Sequence, residues 1–407
     1  MNVRPGALHG KAHVIASDAE AIEIATAYAD RIRPGASARD SERRRPLAEI
    51  EDLRSTGLLG IMVPKAFGGP EVSIRTLVEV FRIVSAADPA IGQIPQNHFS
   101  HLENVRALGA PEQQAFFYGG VLAGQLWGNA LSERGTPKGG YANMKTRVLQ
   151  RPNGSFALTG KKFYSTGALF AQWLPVAALD EQGRAYMVMA ERHAPGVEIV
   201  DDWNSMGQRG TASGTAIFDD VTVTERDLVP IWKYDAGPTT RLAFGQIMHV
   251  AVDIGIAQEA LADTTAYVRE RSRPWYGADL ERAGDDPHII RRVGELFVET
   301  EAAHALLLHA ADTFDRVLAG PLDEAATIRL AILVAAAKAA ASAVCVKVGN
   351  DLFALAGTSA ADEKWNLHRH WRNARTHTLH DPEVWKYHYI GDFVLNGRTP
   401  PRQALIV

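Results

Sequence analysis

The sequence predicts an α+β protein, mostly α, in three parts: an N-terminal α-helical domain (1–125), a middle antiparallel β-barrel or sheet domain (126–235) and a C-terminal bundle of long helices (236–407). Three observations carry this. Hydrophobic periodicity changes twice along the chain, from a helical period to short alternating runs and back. The last three helical patterns each run for about 30 residues, as bundle helices do. Helix and strand are segregated rather than alternating, which argues against a Rossmann-type sheet. No Gly-x-Gly-x-x-Gly follows a strand and no Walker-type loop occurs, so any nucleotide or flavin must be held by other means.

The first helix is expected over Ala19 to Ile32, with Ile22, Ile24, Ala25 and Tyr28 on its apolar side and Ser17 or Asp18 as its cap. Pro46 to Leu58 repeats apolar residues at Leu47, Ile50, Leu53 and Leu58. Gly60, Pro64, Gly68, Gly69 and Pro70 mark a turn-rich connection. Arg75 to Ala86 and Asn97 to Leu108 read as two more helices, the second carrying His98 and His101. Asn153-Gly154 then separates Lys145–Gln150 from Ser155–Thr159, a hairpin signal. Glu181-Gln182-Gly183 separates Trp173–Ala178 from Ala185–Ala190, and Thr215 to Val223 forms a further strand. The long helices are expected over Leu242–Arg271, His288–Leu318 and Glu324–Ala356.

Bulk properties narrow the function. With 407 residues, 46% hydrophobic and 22% charged, the chain can build two or three sizeable cores. A formal charge of -4 leaves no electrostatic footprint for nucleic acid. No apolar run reaches the roughly 18 residues that span a bilayer. Met1 to Lys11 lacks the apolar core of a secretory signal. The single cysteine, Cys345, excludes an internal disulfide and reads as a buried thiol in an alanine-rich helix. The expectation is a cytoplasmic protein bound to neither membrane nor nucleic acid.

Five polar stretches interrupt these elements. Trp127 to Glu133 lies at the helix-to-strand change, where a ligand cleft or a plain interdomain loop would sit. Gly160 to Ala168 offers Tyr164, Ser165 and Thr166 to a planar ligand, or is simply a strand ending in a turn. Asp202 to Gly214 mixes Trp, Arg and small residues without a hydrophobic period. Arg271-Ser272-Arg273-Pro274-Trp275 suits a phosphate or a helix C-terminal dipole. Trp371 to Pro382 is polar between apolar-rich segments, and its His377 and His380 would share a face if helical.

Taken together these stretches resemble the acyl-CoA dehydrogenase superfamily. Gly160–Gly167 is similar to its flavin-contacting strand, Met206 to Thr211 with Phe218 to Val221 to its later strands, and Arg372-Asn373-Ala374-Arg375 to the segment before its catalytic loop. The dehydrogenases carry Tyr-Glu-Gly-Thr after that segment, with the glutamate as base. Here His380-Asp381-Pro382-Glu383 stands instead, which would make the shorter Asp381 the base. Trp127 to Leu131, Gly207-Gln208-Arg209, Ser272 to Trp275, Asp286-Pro287 and Thr378 to Pro382 are more similar to the superfamily's flavin-dependent monooxygenases, the dibenzothiophene and sulfur-acquisition enzymes.

That resemblance implies an oxidoreductase that takes reduced FMN (FAD is the alternative) from a separate flavin reductase. It would use O2 to oxygenate a small, organosulfur substrate, as a homotetramer. His380, Asn129 and His98 are the implied catalytic residues. Trp127, Tyr164, Ser165, Thr166, Arg372 and Arg273, the last from its own or a neighbouring subunit, are the implied flavin ligands. Asp381 is a substrate contact or the alternative base, and His377 is structural. Oxygen activation on a flavin calls for a dry pocket, a non-titrating donor such as Asn129 and a tunable acid/base such as His380. The competing implication is an acyl-CoA dehydrogenase with tightly bound FAD and Asp381 as base.

Overall fold

The computed structural model describes residues 12–135 and 143–401; the Met1–Lys11 stretch read above for a leader lies outside them. Seven helices open the chain: α1 (Asp18–Ile32), α2 (Ala36–Ser41), α3 (Leu47–Ser55), α4 (Ile74–Ala87), α5 (Pro89–Gln93), α6 (Gln96–Leu108) and α7 (Pro111–Leu122). Their starts follow side-chain chemistry. Ser17 accepts from the Glu20 amide, Ser73 from that of Thr76, and Asp88 from those of Ala90 and Ile91.

Strands β1 (Arg147–Gln150), β2 (Phe156–Lys162), β3 (Trp173–Leu179), β4 (Ala185–Glu191), β5 (Val197–Val200), β6 (Thr215–Val223) and β7 (Leu228–Val229) form one sheet in the order β5-β6-β2-β1-β3-β4-β7. The expected β1–β2 and β3–β4 hairpins are present and antiparallel. The sheet is not wholly antiparallel, however. β1 and β3 pair in parallel at Arg147 and Leu179, because the chain reverses twice between them and β3 returns beside β1 running the same way. Beneath this sheet Lys162 is buried and donates to Glu133 at 2.9 Å, so the two charges enter the interior as a pair.

The C-terminal helices are α8 (Arg241–Glu270), α9 (Pro287–Leu318), α10 (Glu324–Ala356), α11 (His368–Thr378) and α12 (Glu383–Asn396). The two helical parts of the chain are not separate in space. One hydrophobic core runs from Ile15 on the N-terminal side to Ala374 on the C-terminal side, while the sheet keeps a core of its own around Leu158, Val176 and Phe218. Gly255 lets α8 lie against α4: a methyl group there would come within 2.6 Å of the Arg82 carbonyl. α10 is long and apolar enough to cross a membrane by composition, against the sequence expectation that no such run exists. Its apolar residues, from Leu330 to Leu355, face the core. Cys345 is buried there, 3.4 Å from the Ser342 carbonyl.

Arg372, expected at the flavin, is consumed by the fold. Its guanidinium donates to both oxygens of Asp40, to the Met206 and Asn366 oxygens at 2.7 and 3.0 Å, and to His368 Nδ1 at 2.7 Å. All five donors are taken, so none is left for a phosphate. The residue instead fastens α11 to α2 and to the 202–214 loop. Because both charges are buried, Arg372→Ala is expected to destabilise the fold by about 3–5 kcal/mol, read as a shift of the urea unfolding midpoint. A change under about 1 kcal/mol, the range of a surface pair, would refute this role.

Candidate active site

The Trp371–Pro382 stretch splits at the end of α11. His377 lies on the helix; His380 and Asp381 lie in the turn before α12, so the two histidines do not share a helix face as expected. His380 Nδ1 is 2.8 Å from Asp381 Oδ1, and Lys386 Nζ is 3.2 Å from Asp381 Oδ2. The His380 side chain is 47% exposed and that of Asp381 4%. Burial raises the aspartate's pKa, but the His380 hydrogen bond and the charges of His380 and Lys386 outweigh it and hold the group far below the carboxylate range. Asp381 is therefore not a free base. It orients His380 through Nδ1 and leaves Nε2 as the ring's working nitrogen.

Behind His380 lies a chain of buried groups. The ring of His249, on α8, is 4.4 Å from that of His380, centre to centre, at 33°. His249 Nδ1 is 3.0 Å from His377 Nε2, and His377 Nδ1 is 2.5 Å from Asp253 Oδ1. The other Asp253 oxygen receives Lys338 Nζ at 2.5 Å and Ser342 Oγ at 3.0 Å. Burial raises the Asp253 pKa, yet Lys338 and His377 bring it down to about 2. Burial also lowers the pKa of both His249 and His377, so each ring is uncharged near neutrality. His377, expected to be merely structural, is the middle of this chain.

The other stretches meet between β2 and β3, inside the sheet, where the 127–132 segment bridges the two strands. Gly128 donates to the Trp173 carbonyl and packs so tightly that a methyl group would lie 2.8 Å from Ala168 Cα. This brings Trp127 and Asn129 against the Tyr164–Ala168 turn, where Asn129 Nδ2 donates to the Tyr164 carbonyl at 3.3 Å. Tyr164 takes a left-handed φ of 54°, and its exposed ring faces Trp203 of the 202–214 loop at 6.2 Å. Thr166 Oγ1 is tied to Ser213 Oγ at 2.8 Å. The 202–214 loop reaches α11 in turn, where Asn373 Oδ1 accepts from the Gln208 amide at 2.7 Å. Among the described residues, Trp127 Nε1, Asn129 Oδ1 and Ser165 Oγ are buried with no hydrogen-bond partner. Buried polar atoms are rarely left so, and donors and acceptors grouped at one turn fit the polar edge of a planar ring such as a flavin.

His98 does not join them as a catalytic group. Its Nδ1 accepts from the Trp127 amide at 3.1 Å, and its Nε2 donates to the Leu59 carbonyl at 2.9 Å. Burial lowers its pKa to about 4, so it stays neutral and supports the Trp127 backbone. One turn along α6, His101 Nδ1 accepts from Asn104 at 3.3 Å while its buried Nε2 has no partner of hydrogen-bonding geometry. Burial, then the charge of Arg241, lower its pKa to about 3, and the nearby Asn129 side chain partly offsets this. Arg273 is exposed beyond the end of α8. From His249 to Glu270 the helix rises roughly 30 Å, so Arg273 cannot share a ligand with His249 and His380 of its own chain.

Sequence reading did not single out His249 or Asp253, and it named His101 without giving it a role. A signal existed for the first two. They stand four residues apart in an otherwise apolar run of α8, as Lys338 and Ser342 do in α10, and four residues is the spacing that puts two side chains on one helix face.

Comparison with known proteins identifies the family. Acyl-CoA dehydrogenase family models match over the N-terminal domain (residues 21–125), the middle domain (128–221) and the C-terminal domain (247–382). A probable FMNH2-dependent monooxygenase, SfnC of Pseudomonas putida, is 32% identical over 93% of this chain and 96% of its own. The crystal structure of FMN-bound TdsC from Paenibacillus sp. A11-2 superposes with a TM-score of 0.89 at 29% identity, covering 95% of this chain and 99% of that one. Methanesulfinate monooxygenase MsuC from Pseudomonas fluorescens gives 0.86 at 31% identity, covering 94% and 99%. With its three domains matched and such relatives aligned over nearly its whole length, the chain belongs to the acyl-CoA dehydrogenase family, in the branch of the flavin-dependent monooxygenases.

Proposed function

We propose that this protein is a two-component monooxygenase that receives reduced FMN from a separate flavin reductase and inserts one atom of O2 into a small organosulfur compound, at sulfur. The observation that carries the reading is the state of His380 and Asp381. The carboxylate that a dehydrogenase would use as base is spent on a histidine and a lysine. The histidine is open to the site with one nitrogen free to hold or release a proton. Bound reduced FMN would supply the electrons and the oxygen activation. Asn129 and Ser165 would bind the ring edge, Trp127 and Tyr164 would flank it, and His380 would exchange a proton beside it. FMN rather than FAD, and sulfur as the target, are favoured by the relatives: SfnC is named for FMNH2, TdsC is FMN-bound, and MsuC acts on methanesulfinate.

The reading includes a cytoplasmic homotetramer. Large apolar side chains are exposed on α9 (Ile290, Phe297 and Val298) and on α12 (Val384, Val394 and Leu395), more than an isolated surface favours. An Arg273 too far from its own site is available to a neighbour's. The cytoplasm keeps the reductase beside its reduced nicotinamide.

His380→Ala is expected to lower oxygenation by about 10²-fold or more, while anaerobic titration finds affinity for reduced FMN within a few-fold of the parent. Oxygenation at the normal rate would remove His380 from the chemistry. The purified protein is expected to be colourless and to consume O2 only with a reductase, NAD(P)H, FMN and a sulfur substrate. Isolation as a yellow protein bleached by an acyl-CoA would sink the monooxygenase reading.

A further inference from the structure

His380 does not stand alone. The groups packed around it are His249 and Asp253 from α8, Lys338 from α10, His377 from α11, and Asp381, Glu383 and Lys386 from the turn and α12. Two carboxylates in this set are each paired with a buried lysine: Asp253 with Lys338 and Asp381 with Lys386. Those pairs largely cancel within themselves. What remains is the half-buried Glu383, the third carboxylate of the set, together with the Asp381 hydrogen bond and the ring beneath.

The direction of that ring follows from Asp253. An ionised carboxylate only accepts, so His377 must carry its proton on Nδ1 and present a bare Nε2. A bare Nε2 accepts in turn, so His249 must carry its proton on Nδ1 as well. One buried anion thus dictates two tautomers in series. Hydrogen bonds chained in this way polarise one another, pushing electron density toward the last ring. The last ring is the one that lies against His380, 4.4 Å away and tilted by 33°. An electron-rich, uncharged face is a good seat for a cation.

We propose that Asp253, His377 and His249 form a buried relay of positioning residues, which holds an uncharged, polarised imidazole against the face of His380 and favours the protonated form of that histidine. The relay deepens the function proposed above, since His380 is the group it serves, but it can be read without turnover. Diethyl pyrocarbonate modifies only neutral imidazole, so the rate at which flavin-free protein is modified at His380, followed by mass spectrometry against pH, gives that histidine's titration midpoint.

His249→Leu removes the seat, and His377→Leu keeps the ring but cuts it from Asp253. Each is expected to lower the midpoint by about half a pH unit. A residue that only fills space would leave the midpoint where it was. A midpoint unmoved in both variants, or moved by His249→Leu alone, overturns the relay. Ring-15N spectra of the unmutated protein decide the matter if a variant does not fold. His249 and His377 should both be uncharged and protonated on Nδ1 at about pH 8; either ring charged, or His249 protonated on Nε2, overturns the proposal. Because no oxygenation is measured, failure here leaves the monooxygenase reading standing, and failure of that reading leaves these titrations interpretable.

Discussion

Asp253 is a carboxylate in the middle of a helix interface, out of reach of water, and much of the architecture follows from keeping it ionised. An unpaired charge in that position would cost several kcal/mol. Lys338 and Ser342 from α10 and His377 from α11 converge on its two oxygens, so three helices must hold one relative placement to satisfy it. Packing of apolar side chains brings α8 and α10 together without directing them; the buried ion pair adds direction. It also fixes where α11 ends, and so where His380 begins.

The second constraint acts one turn earlier on α11, where the 202–214 loop meets Arg372 and Asn373. Gly207 sits where a methyl group would be 2.0 Å from the Arg372 carbonyl, so the 202–214 loop lies directly on the helix backbone. Gln208 and Ala212 take left-handed conformations, with φ of 50° and 48°, to follow that path. Residues other than glycine adopt this region at some energetic penalty, and they hold it where surrounding contacts over-determine it. The Asn373 contact to the Gln208 amide and the Arg372 contact to the Met206 carbonyl are such contacts. The helix that presents His380 therefore also anchors the loop facing Tyr164, and the two walls of the site are mechanically one piece.

Much of this was legible in the residues. The change of period located the sheet, Asn153-Gly154 marked its first hairpin, and the long helical run Glu324–Ala356 located α10 to the residue. Asn129, Ser165 and His380 stood out as candidates because polar side chains in turns at element boundaries have no packing reason to be there. His98 and Arg372 looked equally available and were not. A histidine between two backbone groups and an arginine with five acceptors have the same sequence appearance as free ones. Only the positions of Leu59 and Asp40, 39 and 332 residues away along the chain, reveal that they are spent.

The sequence by itself determined the three-part order of helix, sheet and helix, the first helix's cap and the polar stretches between elements, because period, turn chemistry and capping are local properties of a chain. Tertiary structure alone decided that the outer helical parts share one core, that β1 and β3 run parallel, and which of two adjacent titratable residues is free. The physical reason is that protonation and availability depend on partners. Lys386 and His380 take up the Asp381 carboxylate, and His249, from a helix more than a hundred residues earlier, lies under the ring that remains.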